Sequence, residues 1–163
     1  MLNPLNAVAH HDTTGREIWD DTDGKVSAVV ASVGTAGTIR GISDYVKGKN
    51  PDVKIVAVEP SADDKYLTGI HNFTDVPAER VPVNIREKIY DEVFVAEKDG
   101  AFAAAQEVAK TDGVLVGISS GAALWGALQI ASRPEYEGKE IVVVLPDTGL
   151  RYLSTDLFKA QKL

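Results

Sequence analysis

The fold is decided by the stretch KVSAVVASVGTAGTIRGISDYV, residues 25–46. It begins with a mostly apolar run of strand length, and the glycine-rich turn GTAGT (34–38) follows at once. Ile39, Ile42 and Val46 then recur at the spacing of one helix face. A strand, a tight turn and an amphipathic helix in this order predict one unit of a parallel sheet that is covered by helices.

Four further strands are predicted from apolar runs bounded by turn signals. They are KIVAVE (54–59), EVFVAE (92–97), VLVG (114–117) and EIVVVLP (140–146). The last should be a central strand, because strands buried on both faces of a parallel sheet read as continuous apolar runs. The predicted fold class is α/β: three layers, a mostly parallel twisted sheet with helices on both faces, in a single domain over residues 1–163.

A second helix is predicted after residue 98. Its inward face consists of Phe102, Ala105, Val108 and Ala109. Asp99 is predicted as its amino-terminal cap. Residues 60–90 hold three of the seven prolines and show no sustained periodicity, which predicts irregular structure over the sheet edge or beside a site.

Composition excludes several classes of function. Acidic residues outnumber basic ones by 24 to 17, and the basic ones are scattered, which argues against a nucleic-acid surface. The chain has no cysteine, so disulfides, thiolate metal sites and cysteine nucleophiles are excluded. No segment approaches the roughly 20 apolar residues of a membrane span. We expect a soluble protein in a cytoplasmic setting.

Three turns of unusual sequence follow predicted strands: GTAGT (34–38), GISSGA (117–122) and PDTG (146–149). Ligands of open parallel sheets bind outside the carboxyl ends of the strands, so these turns are expected to converge on one site. GTAGT combines small residues, two hydroxyls and a helix start, which suits a phosphate or another dianion. The alternative is that a tight turn simply requires glycines.

Ser119 lies within GISSG (117–121), which fits the G-x-S-x-G pattern of a nucleophilic serine. Such a serine hydrolase needs an acid and then a histidine later in the chain, and Asp147 could supply only the acid. The histidines are His10, His11 and His71, all of which precede the serine. We therefore disfavour hydrolysis, and capping of the helix by Ser119 and Ser120 remains an alternative.

No metal site is predicted from the histidines or carboxylates. His10 and His11 are adjacent and would diverge, and His71 stands alone, so no cluster has metal-ligand spacing. We interpret them as surface or hydrogen-bonding histidines. Asp63 and Asp64 are interpreted as loop charges rather than an acid/base dyad.

Three motifs, in this order, resemble the carboxyl-terminal half of the cysteine synthases and cystathionine β-synthases, which are pyridoxal-phosphate enzymes of fold type II. They are DDTDGKVSAVVASVGTAGTIRGISDYVKGKNPDVKIVAVEP (20–60), GVLVGISSGAAL (113–124) and IVVVLPDTGLRYLST (141–155). The likeness extends from about Asn3 to Phe158 and is closer to cysteine synthase, through NPDVKIVAVEP and RYLST.

The resemblance implies a cofactor, pyridoxal phosphate, and residues that hold it. The turn at 34–38 would bind its phosphate, Ser119 would hydrogen-bond its pyridine nitrogen, and residues of the third turn would lie on the same side of the ring. The implied cofactor-binding residues are Gly34, Thr35, Ala36, Gly37, Thr38, Ser119, Asp147 and Thr148. The whole enzyme would carry out β-replacement, converting O-acetylserine and sulfide to cysteine. The family also implies a homodimer and association with serine acetyltransferase.

The sequence departs from the family at three places. Ala36 replaces a glycine of the phosphate turn, which weakens binding if that position needs a positive φ, and Leu150 replaces a glutamate. The segment DVPAERVPVNI (75–85) stands where a glycine-rich stretch lines the family's site. Its Asp75, Pro77, Glu79 and Arg80 occupy positions where small or apolar residues are expected.

The resemblance also implies a missing part. The family's Schiff-base lysine and the loop that binds the substrate carboxylate belong to an amino-terminal half, and no lysine here stands in such a motif. No catalytic residue is therefore assigned, and we expect the chain to be inactive alone. Two hypotheses remain: a half that works with its lysine-bearing partner, or a stand-alone non-catalytic binding or dimerisation module, including the remnant of a disrupted gene.

Overall fold

The computed structural model describes Asn3 and residues 5–158. The strands are β1 (Val26–Ser32), β2 (Lys54–Pro60), β3 (Glu92–Ala96) and β4 (Glu140–Val143). The α-helices are α1 (Leu5–His10), α2 (Arg16–Asp21), α3 (Gly37–Lys49), α4 (Val83–Arg86), α5 (Lys98–Thr111) and α6 (Ile118–Ala131). A π-helical turn (His11–Gly15) joins α1 to α2, and 3-10 turns lie at Ala78–Arg80, Pro134–Tyr136 and Gly149–Tyr152.

The four strands form one parallel sheet in the order β3-β2-β1-β4. In the register of the two inner strands, Val30 lies opposite Val56. Because all strands run the same way, every strand-to-helix turn leaves the sheet at the same carboxyl edge. This arrangement confirms the predicted strands at 25–33, 54–59 and 92–97, give or take a residue at their ends.

Apolar side chains fill both faces of the sheet. On one face Val29, Ile39 and Ile42 belong to a cluster between β1 and α3, and each is at most 1% exposed. On the other face Val30 and Ile130 belong to a second cluster, which α5 and α6 cover. A sheet between two helical layers confirms the predicted α/β fold class.

Helices α5 and α6 pack closely because each has a glycine where the other helix approaches it. A Cβ atom on Gly121 would lie 2.3 Å from the carbonyl oxygen of Ala101, and one on Gly100 would lie 2.3 Å from Trp125. The predicted inward face is partly confirmed: Ala105 is fully buried, whereas Phe102, Val108 and Ala109 are half-buried. Ala101 and Ala104, which the prediction omitted, are also buried.

The predicted cap at Asp99 is wrong. Helix α5 begins at Lys98, so Asp99 lies in its first turn and the cap position belongs to Glu97. Glu97 has an extended backbone and makes no side-chain capping hydrogen bond. The carboxylate of Asp99 still lies near the positive end of the helix dipole, which explains its place in the sequence.

Two strand predictions are also corrected. The run 140–146 was expected to be central, but β4 pairs only with β1 among the described strands and its side chains are exposed or half-buried. The run 114–117 is not a strand of the sheet; only Val116 forms an isolated antiparallel bridge, with Thr148. Its backbone is bonded to the third turn instead, as the 3.0 Å bond from the Gly149 amide to the Leu115 carbonyl shows.

Residues 60–90 are irregular apart from one 3-10 turn and the short α4, as predicted. The segment is fixed by Glu59, which is fully buried at the end of β2. Its Oε2 accepts hydrogen bonds from the amides of Phe73 (2.7 Å) and Thr74 (3.1 Å), and its Oε1 accepts the Thr74 hydroxyl. Among the residues placed in the structure, no helix has the length and apolar character to cross a membrane.

Candidate functional site

The first turn, residues 34–38, joins the carboxyl end of β1 to α3. Ala36 caps this helix with φ 61° and ψ 9°, a left-handed conformation that favours glycine. The first turn of an α-helix leaves amide groups without intrahelical partners, and the helix dipole makes this end positive. The turn therefore has the electrostatics of an anion site.

Neighbouring side chains hold this turn in place. The Nδ2 of Asn6 donates to the Thr35 hydroxyl (2.9 Å), and the Nδ2 of Asn84 donates to the Thr35 carbonyl (3.1 Å). The Thr38 hydroxyl lies 3.1 Å from Nε2 of His10. A Cβ atom on Gly37 would lie 2.2 Å from the Asn6 side chain, so only glycine permits α1 to approach this closely.

Two of the histidines, His10 and His11, make side-chain hydrogen bonds. His10 also approaches the Thr14 hydroxyl through Nδ1 (2.9 Å), and His11 pairs with Asp12 at 2.8 Å while its ring meets the edge of Tyr45. None of the described histidines hydrogen-bonds to Ser119. The serine-hydrolase alternative therefore lacks its general base. Across residues 5–158, no cluster of three metal-ligating side chains is found.

The second and third turns are bonded to each other through Asp147 and Ser120. The Oδ1 atom of Asp147 accepts the amide (2.9 Å) and the hydroxyl (2.5 Å) of Ser120. The amide of Gly117 donates to the Asp147 carbonyl at 3.0 Å. These bonds fix the start of α6 against the loop that follows β4.

Asp147 is held in its ionised form. Burial raises the pKa of its carboxyl group, but hydrogen bonding from Ser120, with smaller effects of the Tyr152 and Ser119 hydroxyls, outweighs burial and leaves the pKa below its ordinary value. The Oδ2 atom is buried and accepts no well-aligned hydrogen bond from the described residues. It fills the space that a Cβ atom on Gly117 would need, at 2.2 Å.

Sequence reasoning selected Ser119 at this turn and missed the role of Ser120. Ser119 is 6% exposed and Ser120 is fully buried, both in the first turn of α6. The interpretation of the two serines as helix caps is wrong, because Gly117 takes the cap position without a side-chain bond. The signal available in the sequence was Asp147 in the third turn, a carboxylate that one of the two serines could meet.

The structure brings the three predicted turns to one edge of the sheet. The first turn follows β1 and the third follows β4, which are adjacent and parallel, and the second is bonded to the third. Thr148 is exposed there, and its hydroxyl accepts the Leu150 amide at 3.4 Å. The convergence expected from the sequence is thus present in the fold.

Comparisons with known proteins identify the class. A family described as "Pyridoxal-phosphate dependent enzyme" matches residues 1–147. The chain therefore belongs to the pyridoxal-phosphate dependent enzyme family.

Within this family, the chain is similar to cysteine synthases. The chain is 41% identical to "Cysteine synthase A" of Escherichia coli (strain K12) over 167 residues, which covers 96% of this chain and 52% of that protein. It is 44% identical to "Cysteine synthase" of Haemophilus influenzae, with 96% and 53% covered. The chain spans about half the length of the curated relatives it matches.

Solved structures with the same fold point to the same group of enzymes. O-acetylserine sulfhydrylase isoform 3 from Entamoeba histolytica matches with a TM-score of 0.84 and 43% identity, over 98% of this chain and 48% of that one. An O-acetylserine dependent cystathionine β-synthase from Helicobacter pylori matches with a TM-score of 0.86 and 28% identity, over 96% and 52%. The fold is that of the type II pyridoxal-phosphate enzymes.

The residues at the sheet edge fit the family's cofactor. The start of α3 offers backbone donors for a phosphate, and Thr35 and Thr38 add hydroxyls beside them. Ser119 offers a neutral hydroxyl at the start of α6. The buried carboxylate of Asp147 places a fixed negative charge beside that serine. Phosphate and ring contacts can therefore come from this chain.

Proposed function

We propose that this chain is the cofactor-holding half of a cysteine synthase-like enzyme. The enzyme would replace the acetoxy group of O-acetylserine with sulfide to give cysteine. The observation that carries the proposal is the arrangement at one sheet edge of an electropositive helix start at 34–38 and the Ser120–Asp147 pair that joins the other two turns. The likeness to cysteine synthases over 96% of this chain supports the choice of reaction.

Each turn has a distinct role in this proposal. The amides and hydroxyls of residues 34–38 bind the cofactor phosphate, and Ser119 hydrogen-bonds to the pyridine nitrogen. Asp147 positions the start of α6 through Ser120 and keeps the ring side of the site rigid. When bound, pyridoxal phosphate supplies an electron sink for bond cleavage in the amino acid. A neutral partner at the ring nitrogen suits elimination and replacement over transamination.

The chain does not carry the covalent anchor in this proposal. None of its lysines stands in the motif of the family's Schiff-base lysine. Two described lysines have other partners: Lys47 pairs with Asp91 at 2.8 Å, and the Lys98 ammonium lies 4.2 Å from the centre of the Tyr66 ring. The lysine and the group that binds the substrate carboxylate would come from a separate half.

Borohydride trapping tests the missing anchor. The purified chain is mixed with pyridoxal phosphate and reduced, and adducts are located by mass spectrometry, with pyridoxal as the control for non-specific lysine labelling. We expect scattered, substoichiometric labelling. A stoichiometric adduct on one lysine would mean that the chain has its own anchor, and the proposal of an incomplete site would be wrong.

Complementation tests the reaction. The amino-terminal half of a cysteine synthase, expressed separately, is added to the chain, and cysteine formation from O-acetylserine and sulfide is measured. We expect activity only from the mixture. The Ser119→Ala variant of this chain should lower the rate of the mixture, whereas no activity from any mixture would reject the split-enzyme proposal.

A second candidate, a dimerisation module, is favoured by exposed apolar side chains near β4. Leu115, Leu145, Leu150 and Leu153 are each at least 37% exposed, and one edge of β4 pairs with no described strand. Such surface is unusual unless another protein covers it. Sedimentation of the chain with and without the added half separates the candidates, because a cysteine synthase half should replace self-association with a one-to-one complex.

A further inference from the structure

A cavity lies outside the three turns, at the carboxyl end of β2. Its volume is about 360 Å³, within the range of small-molecule sites. Pro60 and Pro82 form part of its wall, and Ile70 contributes a buried apolar surface. The polar side chains that line it include His71 and Arg80.

The walls of this cavity are fixed by hydrogen bonds. The Nδ2 of Asn72 donates to the Pro60 carbonyl at 3.0 Å, and the amide of His71 donates to the Val33 carbonyl at 2.8 Å. The buried carboxylate of Glu59 anchors Phe73 and Thr74, the two residues that follow Asn72. The backbone that presents His71 is therefore preorganised, which reduces the entropy cost of binding.

The charged side chains that line the cavity are Arg80 and Asp64, and they differ in how they are partnered. Neither the Arg80 guanidinium nor the His71 ring has a hydrogen-bond or ion-pair partner among the described residues. The carboxylate of Asp64 also lines the cavity, but its Oδ1 accepts the amides of Tyr66 (2.8 Å) and Leu67 (2.6 Å). A guanidinium and an imidazole that line one cavity and have no partner among the described residues suit a planar oxyanion, because the guanidinium can donate two parallel hydrogen bonds.

We propose that this cavity binds the carboxylate group of a small organic acid, with Arg80 as the main donor and His71 as the second. The apolar wall of Ile70 and the two prolines takes the carbon skeleton. Because His71 is bonded to Val33, directly before Gly34, the bound acid lies at the same sheet edge as the first turn. Arg80, one of the departures from the family, thereby acquires a role. This site is independent of the proposed cofactor binding.

The test is a titration followed by amide and imidazole NMR shifts. Acetate and L-serine are the two carboxylate probes, and they distinguish a simple acid from an amino acid as the source of the carboxylate. We expect saturable shifts at Ile70, His71 and Arg80. The Arg80→Gln and Arg80→Leu variants should bind about tenfold more weakly or worse, since a charge-assisted bond is lost. Arg80→Lys should fall between them and the parent.

The matched control is Arg16→Leu, since Arg16 is also exposed and lies on α2. Its affinity for both probes should stay unchanged. Equal loss in the Arg16 and Arg80 variants, or no loss in either Arg80 variant, would overturn the proposal.

Inorganic phosphate is expected to shift the amides of residues 34–38. If phosphate saturates the cavity and the carboxylates do not, the assigned ligand class is wrong. Failure of pyridoxal phosphate to bind would reject the proposed function and leave this result unaffected.

Discussion

The turn at residues 34–38 and the segment at residues 60–82 are neighbours at the same sheet edge, but they are held by different groups. The turn is fixed from outside by Asn6 and Asn84, and it presents backbone amides. The segment is fixed from the core by Glu59, and it presents the side chains that line its cavity. Backbone donors persist when a residue type changes, whereas a side-chain site changes with each substitution.

The departures from the family are consistent with this difference. Ala36 replaces a glycine but still adopts the left-handed conformation that the turn requires. Arg80 and Glu79 in the segment place charged side chains where the family has small or apolar ones. Ala36 has the positive φ on which weaker anion binding was conditional, so we expect its methyl group to weaken binding at the turn. The segment, in contrast, has gained charged side chains.

The largest expected effect is removal of the anchor of the segment. Glu59→Ala leaves the buried amide of Phe73 without an acceptor, at a cost of about 1–3 kcal/mol, and also removes the acceptor of the part-buried Thr74 amide. We expect a loss of about 3 kcal/mol in the free energy of unfolding, measured by urea denaturation. The exposed Glu107→Ala is the control and should change it little. A loss below about 1 kcal/mol for Glu59→Ala would show that the segment is held by other contacts.

A smaller effect is expected from crowding the first turn. Gly37→Ala places a methyl group on the Asn6 side chain, and overpacking of this kind costs about 1–3 kcal/mol. Asn6→Ala removes the atoms that it would strike. In a double-mutant cycle the two changes should therefore be less destabilising together than their sum. Strict additivity of the unfolding free energies would contradict the close approach of α1.

The link between the second and third turns predicts a pH effect. The folded-state pKa of Asp147 is below its ordinary value of 3.8, so its contribution to stability is present above that value and is lost as pH falls through the lowered pKa. Asp147→Asn should flatten the acid side of the stability curve below about pH 4. Ser120→Ala removes the hydroxyl hydrogen bond to the carboxylate but keeps the amide one, so it should flatten the curve in part. Unfolding measured from pH 2 to 7 checks both, and an unchanged slope in both variants would refute the link.

The smallest effect is expected at Ala36. Changing it to glycine removes the strain of a left-handed alanine, which costs about 1–2 kcal/mol. The change also loses a buried methyl group that stabilises the fold by about 0.8 kcal/mol, and it gives the unfolded chain more conformational freedom. These terms nearly cancel, so the unfolding free energy should change by less than about 1 kcal/mol. Ala36→Val, with a branched side chain in the same conformation, should be clearly destabilising. Equal stability of the two variants would mean that the turn has moved.

Much of the fold could be predicted because periodicity reports burial directly. The unit from β1 to α3 has a clear strand run, a glycine turn and a helix face, and each corresponds to an observed element. An apolar run indicates a strand but not which strands pair with it. The run at 140–146 was therefore expected in the centre of the sheet, whereas β4 lies at the edge of the described sheet. The run at 114–117 is too short to reveal that its partner is a loop.

The site was predictable in its turns and less so in its side chains. The convergence of the three turns followed from parallel strand direction, which the sequence implies. Which of two adjacent serines meets Asp147 depends on where α6 begins, because each residue rotates the side chain by about 100° around the helix. The hydrogen bonds from Asn6 and Asn84 to Thr35 join residues far apart in the chain, and no local pattern indicates them.

The strand order has a consequence for how the chain is made. The neighbour of β1 on one side, β2, is synthesised soon after it, but its other neighbour, β4, follows only after α6. During translation one edge of β1 therefore stays unpaired by β4 until that strand has left the ribosome. Long-range parallel pairings form slowly and leave apolar edges open to aggregation. Chaperone occupancy on the nascent chain should accordingly be highest between the emergence of β2 and that of β4.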